Sequence, residues 1–383
     1  MTNAPQPNIV QLRDTAVAPF IYKRPLFRGG IDAAVCPPEG RMKRGPALRD
    51  EPHDIIRKKV SFFGRPSNHK ALKGRYLFGG PVWNHFGHFF VDCIHRLWAL
   101  KQNGESYDGV VFLAVQGLQN IQTPEHLANA APPKFLADLM TLLDMPDVPV
   151  IFVRDIAVFE HLDVPEPGTA PRCEIEPFYR PYLDLYQEIL TDKLAPQIRT
   201  APEKIYMGRS HLLNKGGILG CSYFEARVRE AGVHCSLPEK LSLADQLAHL
   251  IGASSILFDE GSAAHPTQVL SKVSTEFCML PRRANNESFG KAISQRAPFF
   301  LMTNGENIET LPDRFGSTSS PGGLAIYRDP LPVYQKLKKH GFVKGPFDPD
   351  AYRAAELADL DASGSKTPEI KEARTKKLQE LRS

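Results

Sequence analysis

Short apolar runs alternate with segments of helical spacing along most of the chain. In the first half, three apolar runs have the length of buried strands, and they cover residues 75–80, 109–115 and 149–153. Residues 134–144 lie between the last two runs and have the i, i+3, i+4 spacing of an amphipathic helix. Strand, helix and strand in succession are typical of a parallel sheet covered by helices. The pattern therefore predicts an α/β fold.

The alternation becomes more regular after residue 204. Strands are predicted at residues 204–207, 233–236, 255–258 and 275–280, and helices at 223–231, 242–251 and 263–271. Ser242 precedes one of these helices and Asp245 follows three residues later, which is the pattern of a helix N-cap. We therefore predict a doubly wound unit in this half of the chain, with further strands at 299–303 and 324–327.

The length of 383 residues suits two domains. A cluster of Pro and Gly at 165–172, a helix at 178–194 and the Pro-containing stretch after it place a domain boundary near residue 198. We predict the following organisation: an irregular N-terminal segment packed on the first domain (1–70), a first α/β domain (71–198), a second α/β domain (199–330), and a C-terminal helical segment with a charged tail (331–383).

The segment Asn84–Lys101 has the pattern of a helix with one apolar side. The apolar side consists of Phe86, Phe89, Phe90, Cys93, Ile94 and Leu97. The other side carries the ionisable residues His85, His88, Asp92, His95 and Arg96. Imidazoles and a carboxylate can exchange protons near neutral pH, so this side is a candidate catalytic face. The alternative is a half-buried helix whose histidines satisfy one another and whose Asp92 and Arg96 form an i, i+4 pair.

Two loops in the second half follow predicted strands and carry groups that suit phosphate. The first contains Arg209 and Lys215, which offer fixed positive charge, and the second contains Gly261–Ala263, whose backbone N–H groups begin a helix. Ligands of open α/β sheets bind at such strand ends. Neither loop is a known nucleotide fingerprint. In the alternative reading, Arg209 caps a helix and Glu260 is its structural partner.

Composition limits the classes of function. The chain has 47 basic and 43 acidic residues, and a net charge of +4 is too small to indicate nucleic acid or an anionic membrane surface as a partner. Six scattered cysteines without a Cys-x-x-Cys pair argue against a zinc ribbon or a dense disulfide framework. The first residues lack a secretory pattern and no apolar run is long enough to span a bilayer. We expect a cytoplasmic location, or at most a peripheral one at the inner membrane.

The order of these motifs resembles glycosyltransferase family 61, which includes bacterial capsular and exopolysaccharide transferases. The resemblance covers roughly residues 80 to 280. Its motifs are Arg209 at a strand end, Asn214 after it, the glycine of a helix–strand junction, a Leu-Ser-x-x-x-Gln helix and the turn Gly261-Ser262-Ala263. An upstream motif is matched by Asn84, His85, His88, Asp92 and Arg96-Leu97. Many members have His where this chain has Glu260, and Asn-Glu where it has Asn214-Lys215, which favours the bacterial polysaccharide branch.

The resemblance implies a glycosyltransferase B fold with two Rossmann-like doubly wound domains. The C-terminal half would hold a nucleotide-sugar donor, the N-terminal half a glycan or lipid-linked glycan acceptor, and transfer would be inverting and need no metal or other cofactor. Donor-binding residues carried over by motif are Arg209, Asn214, Lys215, Gly261, Ser262, Ala263 and His265. Acceptor-side residues are Asn84, His85, His95 and Arg96, and catalytic candidates are Asp92, His88 and Glu260.

In the mechanism that these residues could perform, Asp92 is the preferred general base and His88 is its competitor. Arg209 and Lys215 would neutralise the departing diphosphate. Glu260 would hold hydroxyl groups of the donor or serve as the base itself. The acidic and imidazole face of the first domain would then meet the cationic loops of the second across a shared gap.

Three other classes of function stay open. One is a non-catalytic sugar-binding or scaffold protein of the same fold. Another is a metal enzyme with His85, His88, Asp92 and His95 as ligands, although no His-Glu-x-x-His order is present. A serine hydrolase is disfavoured because Ser262 lies in Glu-Gly-Ser-Ala-Ala and not in Gly-x-Ser-x-Gly.

Overall fold

The computed structural model shows an α/β protein and divides the chain into two compact units. It describes residues 7–22, 31–36, 71–82, 85–102, 107–114, 133–153, 157–170, 173–285, 287–317 and 322–382. The first unit comprises Met1–Lys193 with His265–Lys272, and the second comprises Leu194–Ala264 with Val273–Ser383. Among the described residues, no helix has the length and apolar character required to cross a bilayer.

The first unit is built on a six-stranded mixed sheet. Its strands are β1 (Ile9–Tyr22), β2 (Ile31–Cys36), β3 (Ala71–Val82), β4 (Gly109–Ala114), β5 (Val150–Val153) and β6 (Ala157–Pro165). They lie in the order β2-β1-β6-β3-β4-β5, with β3 parallel to β4 and β6, and β4 parallel to β5. β3, β4 and β5 confirm the three strands that the apolar runs predict in this half.

The N-terminal part of this sheet differs from the irregular segment that the sequence predicts for residues 1–70. β1 lies between β2 and β6 and runs antiparallel to both. Val17 in β1 is fully buried in a cluster that also contains Phe159 and Leu162 of β6. Arg13 and Asp14 obscure the alternation of β1, and its strand conformation is instead fixed by pairing with a strand remote in sequence. The sheet is therefore mixed and not purely parallel.

The segment that follows β3 is helical but is not the regular helix that the spacing predicts. It consists of one α-helical turn, α1 (Phe86–His88), a π-helical stretch (Phe89–Cys93) and a 3-10 helix (Ile94–Lys101). Each change of winding moves the side chains away from the positions of an ideal 3.6-residue repeat. Every residue from Ile94 to Leu100 is buried, so the two-faced pattern holds only for the first part of the segment.

Two regular helices complete the description of the first unit. They are α2 (Lys134–Leu142) and α3 (Arg180–Lys193), and both correspond to segments of predicted helical spacing. Trp98 is fully buried near the carboxyl end of β6, where its indole N–H donates to the carbonyl of Glu166 at 2.9 Å. Gly168 donates its backbone N–H to the carbonyl of His95 at 2.8 Å. These bonds attach the buried 3-10 helix to the chain that leaves β6.

The second unit contains a five-stranded parallel sheet and a separate two-stranded sheet. The parallel strands are β7 (Lys204–Met207), β8 (His234–Ser236), β9 (Ser255–Asp259), β10 (Glu276–Leu280) and β11 (Phe299–Leu301); β12 (Ile308–Leu311) and β13 (Leu324–Tyr327) pair antiparallel. The spatial order β8-β7-β9-β10-β11 is 2-1-3-4-5 when the strands are counted from β7. This order is one of the two common doubly wound arrangements. The regular alternation after residue 204 is thus confirmed.

The helices of the second unit lie between and after these strands. They are α4 (Ala195–Arg199), α5 (Cys221–Glu230), α6 (Leu243–Gly252), α7 (Glu287–Ser294), α8 (Leu331–Lys339), α9 (Pro349–Ala362) and α10 (Pro368–Arg382). The N-cap prediction for α6 is confirmed, because the Ser242 hydroxyl accepts the backbone N–H of Asp245 at 3.0 Å. The charged tail is attached to the unit, since Arg382 of α10 donates to the buried Glu356 carboxylate of α9 at 2.5 and 2.9 Å.

Replacing Gly168 with Ala should destabilise the protein. A Cβ atom at this position would lie 2.0 Å from Cγ of Tyr179, whose ring is fully buried and has no room to move. Overpacking of this kind costs about 1–3 kcal/mol of unfolding free energy. Gly290→Ala is the control, since its Cβ meets nothing closer than 3.8 Å and it lies inside α7. Urea unfolding should show a lower midpoint for Gly168→Ala alone; equal midpoints for both variants would contradict the close packing against Tyr179.

Candidate functional site

The strand order of the second unit defines where a ligand would bind. The chain moves from β7 to β8 on one side of β7, whereas β9, β10 and β11 lie on the other side. The direction of winding therefore reverses between β7 and β9. In open α/β sheets the crevice outside the carboxyl ends of such a strand pair is the usual ligand site. The residues that leave β7 and β9 here are Arg209 and Asp259–Gly261.

The guanidinium of Arg209 lies against the backbone of Gly261 in this crevice. A Cβ atom at Gly261 would come within 2.7 Å of Nη1 and 2.9 Å of Cδ of Arg209, so only glycine allows the approach. The Nη2 group donates a long hydrogen bond of 3.4 Å to the carbonyl of Gly216. Nε is buried and meets no acceptor among the described residues, and the side chain forms no ion pair within that part of the chain. The outer guanidinium nitrogens Nη1 and Nη2, rather than the buried Nε, therefore retain hydrogen-bonding capacity for an anion.

The carboxylate of Asp259 fixes the start of the Arg209 loop. Asp259 is buried at the end of β9 and accepts the Arg209 backbone N–H at 2.6 Å. The Tyr206 hydroxyl donates to both carboxylate oxygens at 2.9 Å, and the Cys221 thiol donates at 3.2 Å. Burial raises the pKa of Asp259 above its ordinary value, while the hydrogen bonds from Cys221 and Tyr206 oppose this shift. The carboxylate thus joins β7, β9 and the start of α5.

Glu260 organises a second pair of cations. Its side chain is 1% exposed, and one carboxylate oxygen accepts the backbone N–H groups of Arg282 and Arg283 at 2.8 and 3.1 Å. The other oxygen lies 3.1 Å from Nη1 of Arg283 in an ion pair whose angle is too poor for a hydrogen bond. This burial favours a structural role for Glu260 over the expectation that it acts as the general base or holds donor hydroxyls. The side chain that forms an ion pair with Glu260 is Arg283. The alternative prediction, in which Glu260 is the partner of Arg209, is therefore wrong.

Arg282 and Arg283 are the functional candidates that the sequence analysis did not identify. They follow β10 directly, at the same edge of the sheet as Arg209 and Gly261. Burial and the charges of Arg283 and Arg209 lower the pKa of Arg282 to about 10, although the charge of Glu260 opposes the shift. Arg282 is therefore still charged at neutral pH. The signal was present, because two arginines after a buried strand satisfy the same strand-end rule that singled out Arg209. Three arginines therefore concentrate positive charge at one edge of this unit.

The remaining predicted donor residues are spread over two surroundings. Asn214 and Lys215 end an exposed 3-10 helix (Ser210–Lys215) that begins after Arg209. Ser262 is half-buried and Ala263 is buried in the helical turns after Gly261. His265 lies in a second 3-10 helix (Ser262–Val269), is half-buried and belongs to the first unit. The crevice of the second unit thus combines Arg209 with Gly261, whereas Asn214 and Lys215 lie on its exposed loop.

In the first unit, three predicted residues form a connected row at the start of the helical segment. The His85 ring caps α1 and accepts the backbone N–H of His88 at 3.4 Å, and the rings of these two histidines lie 4.8 Å apart. Nδ1 of His88 lies 3.0 Å from the Asp92 carboxylate. The side chain of His88 is 30% exposed and that of Asp92 is 8% exposed. The imidazole is therefore the accessible member of the pair, and the carboxylate orients it.

This row also lies at a reversal of winding. From β3 the chain goes to β4 and β5 on one side, and β6 lies on the other side of β3 in parallel. The helical segment with His85, His88 and Asp92 begins just beyond the carboxyl end of β3. The first unit therefore places its ionisable residues at the edge where a doubly wound sheet binds ligands.

His95 and Arg96 do not join that row. Both are buried, and Nδ1 of His95 lies 3.4 Å from the Tyr179 hydroxyl. Arg96 packs beside Gly80, and burial lowers its pKa to about 9 although the charge of Glu166 opposes the shift. The prediction that they share the polar face with Asp92 is wrong, because the 3-10 winding and complete burial replace the two-faced helix there. Asn84 lies outside the described residues.

The donor atoms of the first unit do not converge as a metal site would require. Among the described residues, the groups of three or more His, Cys, Asp and Glu that could hold an ion do not include His85, His88, Asp92 and His95 together. His88 instead pairs with Asp92, and His95 lies against the Tyr179 ring. The chemistry that this arrangement supports is proton transfer by an oriented imidazole.

Comparisons with models of protein families and with curated proteins find no match to this chain. Two chemical features of its geometry bear on function. One is the crevice of the second unit, which combines Arg209, Arg282 and Arg283 with the bare backbone of Gly261. The other is the His88–Asp92 pair of the first unit.

Replacing Glu260 with Gln should destabilise the second unit without touching any reacting group. The amide keeps one oxygen for the Arg282 and Arg283 backbone N–H groups but loses the charge that pairs with Arg283. We expect the free energy of unfolding to fall by about 1–3 kcal/mol. Glu203→Gln, at an exposed position before β7, is the matched control and should have little effect. A Glu260→Gln variant that is as stable as this control would contradict the structural role.

Proposed function

We propose that this protein is an inverting, metal-independent glycosyltransferase of the glycosyltransferase B type. The second unit would bind a nucleotide-sugar donor and the first unit a glycan or polysaccharide-precursor acceptor. The observation that carries the proposal is the position of Arg209, which lies against Gly261 where the winding reverses between β7 and β9. Among the described residues, no acidic side chain forms an ion pair with Arg209, and Glu260 pairs with Arg283 instead. The motif resemblance to glycosyltransferase family 61 points to the same chemistry.

A nucleoside diphosphate suits this crevice because of how charge is arranged around it. Arginine binds phosphate through paired hydrogen bonds, and the absence of a side chain at Gly261 leaves room for the Arg209 guanidinium at the strand end. Arg282 and Arg283 add fixed charge at the neighbouring strand end. Arg209 and Arg282, with Arg283 partly neutralised by Glu260, can offset the charge of a departing diphosphate, which is the task that a divalent metal performs in other transferases. Metal-independence in this proposal follows from that charge.

The His88–Asp92 pair supplies the base that transfer requires. When Nδ1 of His88 donates its proton to Asp92, the neutral ring has its lone pair on Nε2, which is then the nitrogen that can accept a proton. Nε2 of His88 would accept the proton of the acceptor hydroxyl as the new C–O bond forms and the bond to the diphosphate breaks. His88 therefore takes the role of base and Asp92 the role of orienting residue, which reverses the preference drawn from the sequence.

The donor site can be tested by nucleotide binding. Thermal unfolding of the protein with UDP, GDP or CMP should show stabilisation by at least one of them, since a ligand that binds only the folded state raises the unfolding temperature. Arg209→Gln should lower the affinity for that nucleotide by about 10- to 100-fold, because a hydrogen bond to a charged group is lost. Arg229→Gln makes the same charge change on an exposed face of α5, where Arg229 pairs with Glu225, and should bind normally.

Two results would oppose this proposal. If no nucleotide stabilises the protein, the crevice does not bind a nucleotide-sugar. If Arg209→Gln and Arg229→Gln bind the nucleotide equally well, Arg209 does not contact the diphosphate. Nucleotide binding without hydrolysis or transfer of any nucleotide-sugar would instead favour a non-catalytic sugar-binding protein of the same fold.

The catalytic pair can be tested by turnover with the donor that the nucleotide screen identifies. His88→Gln should lower kcat by about 10²- to 10⁴-fold, because the proton acceptor is lost. Asp92→Asn should also lower kcat, because the amide no longer holds Nδ1–H in place. Both variants should bind the nucleotide as the native protein does. Asp138→Asn changes a half-buried carboxylate of α2 that pairs with Lys134 and should leave kcat unchanged. A larger loss for Asp92→Asn than for His88→Gln would make Asp92 the base.

A further inference from the structure

A second cluster of reactive side chains lies in the second unit, at the end of the parallel sheet where strand β10 begins. Glu276 is the first residue of β10, Cys278 lies two positions later on the same face of the strand, and His340 follows the last residue of α8. One donor atom from each side chain lies within 4.8 Å of the other two. His340 is far from Glu276 and Cys278 in sequence, so the fold brings its ring to the pair of side chains on β10.

The distances within the cluster are close to those of a metal site. The Cys278 sulfur lies 3.6 Å from Oε1 of Glu276, and Nδ1 of His340 lies 2.7 Å from the same oxygen. Tetrahedral zinc with its usual bond lengths separates sulfur from oxygen by about 3.6 Å and nitrogen from oxygen by about 3.4 Å. The sulfur–oxygen separation already fits. The nitrogen–oxygen pair is held closer by a hydrogen bond, and an ion would have to widen it by roughly 0.7 Å.

The donor set selects among the common metal ions. A thiolate, an imidazole and a carboxylate are the three protein ligands that zinc accepts, whereas magnesium and calcium prefer oxygen alone. Solvent can reach the cluster, since the Glu276 side chain is 34% exposed and that of His340 is 14% exposed. An ion from solution can therefore enter, and a water molecule can complete a fourth position.

Neighbouring charges affect how readily an ion binds. Burial and the Glu276 carboxylate raise the pKa of the Cys278 thiol, while the ammonium of Lys204 lowers it. That ammonium is held by the carbonyl oxygens of His340 and Gly341 at 3.0 and 3.4 Å. The thiol is thus protonated at neutral pH without an ion, and coordination must release its proton to solvent. Binding should consequently strengthen as the pH rises.

We propose that Glu276, Cys278 and His340 form a Zn²⁺ site that attaches the end of α8 to the amino end of β10. The site is separate from the crevice with Arg209 and Arg282, which lies at the carboxyl ends of the strands. Glu276 and Leu280 at the two ends of β10 are about 13 Å apart along the strand. The ion would stabilise the second unit and take no part in the chemistry at the other edge. This inference is independent of the proposed glycosyl transfer.

The experiment uses the full chain after treatment with a chelator. Co²⁺ is the probe, because a cobalt–thiolate bond gives an intense charge-transfer absorption in the near ultraviolet that carboxylate and imidazole ligands do not give. One equivalent of Co²⁺ should produce this band, one equivalent of Zn²⁺ should abolish it, and Zn²⁺ should raise the unfolding temperature. Cys278→Ser should lose the band, and Cys235→Ser, a half-buried cysteine of β8, should retain it.

A second pair of variants guards against misfolding of Cys278→Ser. Glu276→Gln and His340→Gln leave the thiol in place and should weaken Co²⁺ binding by at least about tenfold, with unchanged far-ultraviolet circular dichroism. The apparent affinity of the native protein should increase between pH 6 and pH 8, as expected when coordination displaces a thiol proton. Absence of the cobalt–thiolate band at stoichiometric Co²⁺, or a band of equal intensity in Cys278→Ser, would overturn the zinc site.

Discussion

The buried carboxylate of Asp259 is the interaction on which the candidate donor site depends. It ends β9, and it accepts hydrogen bonds from the Tyr206 hydroxyl of β7, the Cys221 thiol of α5 and the Arg209 backbone N–H. A buried carboxylate is costly unless such donors satisfy it, and once satisfied it fixes all of them in position. The loop that carries Arg209 therefore starts from a rigid point, and the guanidinium can lie against Gly261 without a carboxylate partner of its own.

Glu260 extends the same principle to the neighbouring strand. Its carboxylate accepts the backbone N–H groups of Arg282 and Arg283 and pairs with the side chain of Arg283. Two consecutive acidic residues thus hold two cationic loops, one on each side of β9. Both acids accept hydrogen bonds from the protein, and together they position the cationic loops around β9.

Both units use the edge of the sheet at which the winding reverses. In the second unit the edge between β7 and β9 carries arginines, and in the first unit the edge at β3 carries the His88–Asp92 pair. The two sets of residues differ, since one is cationic and the other joins an imidazole to a carboxylate. The Glu276, Cys278 and His340 cluster lies at the opposite edge of the second sheet, where side chains contribute to stability and leave the crevice unobstructed.

The sequence by itself determined the α/β class, the strands β3, β4, β5 and β7 to β10, and the Ser242 N-cap, and it selected Arg209, His88 and Asp92 as candidates. These features depend on short-range periodicity and on residue chemistry, which are present in the linear chain. Tertiary structure alone decided three further features. Strand β1 exists because it pairs with β6, the 86–101 segment winds irregularly because nearly all of its second half is buried, and Glu260 is structural because it meets Arg282 and Arg283. Each of these depends on contacts between residues far apart in sequence, and no local pattern encodes such contacts.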